Sequence, residues 1–463
     1  MSKLHRKPKQ QQRVDLEAKY QRFFLTENPF PTSPVNKDST DRRINGKIYE
    51  AHIRSKEYQE IETAYLKSAQ ADPSHLRLGY IWDSSYIGRG NGKSAFLVNL
   101  IDQINKEYCL DISGELNKCF AVYVTPEPGG RTKTFDSFVD LIFASIYSSG
   151  IIASSLATMR LDAISEIYPE IRIDEEDEQQ LISLLNSEKW LRDLGIEHHK
   201  LMEVILTNDY LQKIPDSFPL VSYRHSLLHP FHTEKIFLTA YQGLKKGREK
   251  LDFVFSYLVQ MFMASGFNGA YIFVDDFERV PDFQSGRQRR DFAAELRSVL
   301  LDGPYENTRY GFFNMFLVLH AGVPALISEA WTSSGLDHRY PLSPRVTSPH
   351  LVPFEKISRG HVSLLIKKYL NEYRSDPGLK DELTPFTPDA INIIAEVSEY
   401  NAASILRTCS VLIEKALTEN KKDIDEVFVR AEIEKREGGG TGKEPSLDDS
   451  GAIDLMQKAT DGR

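Results

Sequence analysis

Leu78-Gly79-Tyr80-Ile81-Trp82, then Gly88-Arg89-Gly90-Asn91-Gly92-Lys93-Ser94, then Phe96, Leu97, Leu100 and Ile101 form the stretch on which the fold turns. The first five residues have the apolar and aromatic content of a buried strand. The last four recur at helical spacing, so a helix is expected to start at Lys93 or Ser94. Between them, glycines let the backbone curl around a point with no Cβ in the way. A helix start adds unpaired N–H groups and the positive end of its dipole. Strand, Gly-rich loop and helix with Lys and Ser at its start is an arrangement for binding phosphate. Lys93 would reach the β- and γ-phosphates of ATP, Ser94 would hold Mg²⁺, and Gly88, Gly90, Asn91 and Gly92 would line the cradle. The usual pattern has its first Gly where this chain has Ile87, with Gly88 one place later. The Gly90–Ser94 core keeps the pattern. Gly438-Gly439-Gly440-Thr441-Gly442-Lys443-Glu444 imitates it, but it follows a charged helix and has Glu where Ser or Thr is needed. It reads as a linker.

Phosphate chemistry with Mg²⁺ also needs a carboxylate at a neighbouring strand tip. Tyr271-Ile272-Phe273-Val274-Asp275-Asp276 is an apolar strand running into two acids. Asp275 would sit in the Mg²⁺ shell. Asp276 would position or deprotonate the attacking water, with Glu278 as the alternative base. About 180 residues separate Lys93 from Asp275. A helical insertion at about 151–265 is therefore expected to leave the sheet and rejoin it. Its His198-His199 pair does not face one point on a helix, so surface or packing roles are expected rather than metal binding.

Outward from these motifs, apolar runs at 120–124, 272–274 and 312–319 alternate with helical patterns. Strands apolar on both sides indicate a parallel sheet covered on both faces, an α/β fold. Residues 351–436 carry helical patterns after Leu351–Phe354; Ile405, Cys409, Leu412 and Ala416 make one stripe. The expected organisation is a basic, extended arm over 1–45, a nucleotide-binding core over 46–350, a helical lid over 351–436 and a polar tail over 437–463. The chain has 463 residues and a net charge of −9 from 57 basic and 66 acidic residues, which argues against a wholly basic nucleic-acid coat. No apolar run reaches the roughly 18 residues of a membrane span. The N-terminal MSKLHRKPKQQQ has no apolar segment of a secretory signal. Three scattered cysteines, Cys109, Cys119 and Cys409, suit buried thiols in a reducing cytoplasm.

With these motifs in place, the chain resembles AAA+ P-loop ATPases. It is most similar to the branch holding origin-recognition initiators, transposition-regulator ATPases and related bacterial helper and defence ATPases. Phe23-Phe24 with Glu27-Asn28-Pro29-Phe30-Pro31 resembles the aromatic–Asn-Pro-Phe opening of the transposition group. Phe316-Leu317-Val318-Leu319-His320-Ala321-Gly322-Val323-Pro324 looks like the sensor-1 strand and its turn, with His320 where Asn, Ser or Thr is commoner. The resemblance implies an arginine that reaches the neighbouring subunit's γ-phosphate; Arg339 and Arg345 both fall in that interval. Asn401-Ala402-Ala403-Ser404-Ile405-Leu406-Arg407 resembles the sensor-2 helix, with Arg407 turned about 200° from Ile405.

It further implies a homo-oligomeric, Mg²⁺-dependent ATPase that loads or licenses a partner such as a nuclease, transposase or other effector on DNA. Mobile-element control and anti-phage defence both fit. Initiators carry a winged-helix domain after the lid, whereas only about 28 mostly polar residues follow Lys435 here. That leans towards the regulator, helper or defence side. DNA contacts would come from the core, from the basic residues of 1–22, or from Arg287, Arg289 and Arg290. The competing expectation is a signalling or scaffold NTPase that binds ATP with little turnover and reads a protein trigger through its insertion.

Overall fold

The computed structural model describes residues 19–67, 76–83, 90–109, 118–173, 175–215, 226–230, 232–343 and 349–438. The chain divides into two compact units, Ser33–Lys356 and a second built from Met1–Thr32 with Ile357–Arg463.

The larger unit is α/β. Five strands, β1 (Leu78–Asp83), β2 (Cys119–Val124), β3 (Gly269–Val274), β4 (Phe313–His320) and β5 (Leu351–Pro353), form one sheet in the order β2-β3-β4-β1-β5. Every pairing is parallel. Side chains alternate between two apolar layers, as the period of two requires. Leu78, Tyr80, Val122, Ile272, Met315 and Leu317 point into one layer; Ile81, Ala121, Phe273, Phe316, Val318 and Val352 point into the other. β3 is buried along its whole length. This matches the double-sided apolar runs in the sequence.

One layer is closed by α1 (Ser55–Ile61), which continues as a π-helical turn over Glu62–Leu66, and by α2 (Lys93–Glu107). Here Gly79 allows a close approach: a Cβ on it would lie 2.5 Å from both the Phe316 ring and the Tyr65 hydroxyl. The other layer is closed by α3 (Phe135–Ser148), α4 (Ile151–Ile167), α5 (Gly286–Arg297) and α6 (Val323–Ser334). Thr134 and Ser285 start α3 and α5 with reciprocal capping boxes. Among the described residues, the segment between α3 and β3 consists of helices and turns with no strand. Its Leu201, Phe237, Val254 and Phe262 join the core beneath β2–β4.

The smaller unit contains α7 (Arg359–Glu372), α8 (Pro388–Val397), α9 (Ala402–Thr418) and α10 (Glu426–Gly438). The stripe Ile405, Cys409, Leu412 and Ala416 on α9 is buried. Residues 19–32, which the sequence reading placed in an N-terminal arm, pack within this unit. Phe30 stacks on Tyr369 at 6.1 Å and meets Phe386 edge-on at 6.0 Å. The Asn28 amide donates to the Ser410 carbonyl at 3.0 Å and to the Glu414 carboxylate at 2.9 Å. No single described helix is long and apolar enough to cross a membrane. The bent pair α3–α4 has enough apolar length, but its apolar side chains belong to the core. Burial raises the thiol pKa values of all three cysteines, that of Cys109 to about 11.

Candidate functional site

The carboxyl ends of β1, β4 and β3 lie side by side because β4 pairs with both its neighbours. Each tip carries polar residues of the candidate site: Asp83 ends β1, His320 ends β4 in register with it, and Asp275 follows β3. Open parallel sheets bind ligands at this edge.

Gly90 and Gly92 have φ of 119° and 87°, conformations that strain residues with a Cβ. Gly92 is the N-cap of α2, and among the described residues nothing lies within 4 Å of a Cβ built on it. Glycine is therefore needed there for backbone shape rather than for want of room among the described residues. The first helical bond runs from the Phe96 N–H to the Gly92 carbonyl at 2.9 Å. N–H groups of a helix's first turn have no intrahelical acceptor. A compact anion fits such a cradle.

Lys93 is turned towards the tip of β1. Its ammonium is buried and donates to Asp83 Oδ2 at 2.5 Å. The Asn91 amide donates to both oxygens of the same carboxylate, at 3.1 and 3.2 Å. Behind the loop, the Arg54 guanidinium donates to the Asn91 carbonyl at 3.0 Å and the Glu355 carbonyl at 2.8 Å. It pairs with Glu57 at 2.7 Å and lies 3.8 Å from the centre of the Phe354 ring. The guanidinium thus ties the loop to the chain following β5.

Ser94 Oγ donates to Asp275 Oδ2 at 2.6 Å across 181 residues of sequence. The Tyr123 hydroxyl donates to the same oxygen at 2.5 Å. Burial, and then the carboxylate beside it, push the Tyr123 pKa well above 10, so the phenol keeps its proton and donates. Asp275 Oδ1 accepts from the Asp276 N–H at 3.0 Å. A hydroxyl and a carboxylate sharing one point are the oxygen donors a hard divalent cation uses, so these residues fit Mg²⁺.

Asp276 has φ of 49°, uncommon for a residue with a side chain, and its carboxylate pairs with Arg279. Arg279 also donates to the Pro126 carbonyl at 3.1 Å. Glu278 is buried, with His320 Nε2 at 3.2 Å from its Oε1. One oxygen or nitrogen from each of Asp276, Glu278 and His320 lies within 4.8 Å of the others.

The structure thus brings together Gly90, Asn91, Gly92, Lys93, Ser94, Asp275, Asp276, Glu278 and His320. Gly88 and Arg345 lie outside the described residues, as do Ile87, Arg89 and residues 439–444 of the second Gly-rich run. Arg339 is exposed at the end of the short helix Leu336–Arg339. Arg407 is exposed on α9 of the other unit. His199 is exposed beside Glu197 at 3.4 Å, and His198 faces His229 with ring centroids 6.4 Å apart. Sequence reasoning missed Asp83, Arg54, Tyr123 and Arg279. A signal existed for Asp83, since β1 is an apolar strand ending in an acid, as β3 is. The chain matches no known protein family and no curated protein.

Proposed function

We propose that this chain binds and hydrolyses ATP with Mg²⁺, as an AAA+-type P-loop ATPase. The observation that carries the reading is the Ser94–Asp275 contact of 2.6 Å between a Gly-rich helix start and an acidic strand end. The sequence reading requires those two motifs to meet, and residues so far apart have no local reason to do so. Lys93 would bind the β- and γ-phosphates, and Ser94 and Asp275 would hold the cation that offsets their charge. Between the two candidate bases the geometry favours Glu278. The carboxylate of Asp276 is already engaged by the guanidinium of Arg279. Glu278 Oε1 lies 3.2 Å from Nε2 of His320, an imidazole rather than a guanidinium. Arg339 or Arg345 would act on a neighbouring subunit's nucleotide, and Arg407 would act as the lid sensor.

In this reading the chain works as a cytoplasmic homo-oligomer whose nucleotide state loads or licenses a protein partner on DNA, in mobile-element control or anti-phage defence. This part rests on the family resemblance. A second reading, an ATP-binding switch with little turnover, draws on the internal pairings of the site: the ion pairs Lys93–Asp83 and Asp276–Arg279 and the Glu278–His320 contact. Steady-state turnover with Mg²⁺·ATP, with and without duplex DNA, separates them. The ATPase reading expects turnover that rises with DNA and falls by about 100-fold or more in Glu278→Gln, with ATP still bound. Negligible wild-type turnover together with ATP-dependent assembly would favour the switch.

A further inference from the structure

The position that should hold a phosphate next to Lys93 already holds an anion. Asp83 is fully buried, its Oδ2 lies 2.5 Å from the Lys93 ammonium, and the Asn91 amide grips both its oxygens. The loop's cation and a loop amide are therefore both turned towards the tip of β1. Among the described residues, nothing lies within 4 Å of a Cβ built on Gly92.

We propose that Asp83 is a built-in competitor for the phosphate site, whose carboxylate must release Lys93 before a nucleotide phosphate can take it. This rests on the nucleotide-binding reading above and adds a residue that sets the affinity and charge requirement of that site. The physics is that of ligand exchange. A buried ammonium with no partner strongly attracts an anion. One already neutralised at hydrogen-bond distance attracts it far less, and the displaced carboxylate repels the newcomer. Only a ligand carrying enough negative charge opens the pair. Replacing the acid by its isosteric amide removes the competitor and the repulsion, and leaves an ammonium in need of an anion. An ammonium has three protons, so Asp83 could alternatively orient Lys93 and share it with phosphate. The two cases predict opposite signs.

The test is Mg²⁺·ATP affinity by titration calorimetry for wild type, Asp83→Asn, Lys93→Ala and Asp83→Asn/Lys93→Ala, with a thermal melt of each. Competition predicts that Asp83→Asn binds about ten-fold tighter or more. It predicts that Lys93→Ala binds far more weakly, and that the double variant gains nothing over Lys93→Ala. It also predicts that Lys93→Ala, which takes the cation away from a buried carboxylate, melts lower and that adding Asp83→Asn restores much of the loss. Should Asp83→Asn fail to fold, Asn91→Ala loosens the same carboxylate and should also tighten binding, by less. Unchanged or weaker binding in Asp83→Asn, with Lys93→Ala still impaired, overturns the competitor and leaves the nucleotide site standing. Equal absence of binding in wild type and every variant removes both.

Discussion

A single carboxylate oxygen, Asp275 Oδ2, gathers the site: it accepts from Ser94 at 2.6 Å and from Tyr123 at 2.5 Å. The serine and the aspartate were legible, because each belongs to a motif with a chemical purpose. Tyr123 was not, because a tyrosine in an apolar strand reads as core. Only the β2–β3 register, which sets Tyr123 opposite Phe273 next to the strand tip, gives its hydroxyl a reason. Tyr123→Phe removes one donor to a carboxylate and should cost about 1–2 kcal/mol of stability. Partners that orient a metal-binding carboxylate affect metal affinity by about 10–100-fold. The Mg²⁺ concentration for half-maximal nucleotide binding should therefore rise at least several-fold in a magnesium titration. An unshifted midpoint would leave the phenol a packing role only.

At the scale of elements, strands and helices followed the periodicities closely, because both sides of β1 to β4 are largely buried and the helices carry apolar stripes. What periodicity does not display is how the insertion satisfies its polar groups. Arg160 on α4 is fully buried, and donates to Asn186 Oδ1 at 2.5 Å and to the carbonyls of His229 and His232 at 3.1 and 2.9 Å. Burial lowers its pKa to about 10, so it stays charged at neutral pH. Around it, His198, His229 and His232 form a chain of rings with centroids 6.4 and 5.9 Å apart. Burial first, and positive neighbours including Arg160, lower the pKa values of His198 and His229 below 6.5. For a histidine with a depressed folded pKa, the stabilisation is full above about 6.5 and is lost as pH falls through the folded value. The melting temperature should therefore fall between about pH 7 and 5, and His198→Asn/His229→Asn should flatten that slope. An identical slope in the double variant would move the acid sensitivity elsewhere.

For the whole molecule, the parallel sheet and its covering helices were readable from the alternation of apolar runs and helical stripes. The composition of the smaller unit was less so. Residues 19–32 join helices more than 300 positions away, through contacts such as Asn28 with Ser410 and Tyr20 with Glu414. Such pairings are set by tertiary packing rather than local pattern. In the larger unit the candidate site had the opposite history. Its two halves were read separately, and folding brought them into hydrogen-bond contact. That contact means little unless the site takes a nucleotide, so the central measurement is a binding isotherm of Mg²⁺·ATP. We expect saturable binding to wild type, weakened by about 100-fold or more in a Lys93→Ala chain that still melts cooperatively. Equal affinity in the two chains, or no binding to wild type, would contradict the account.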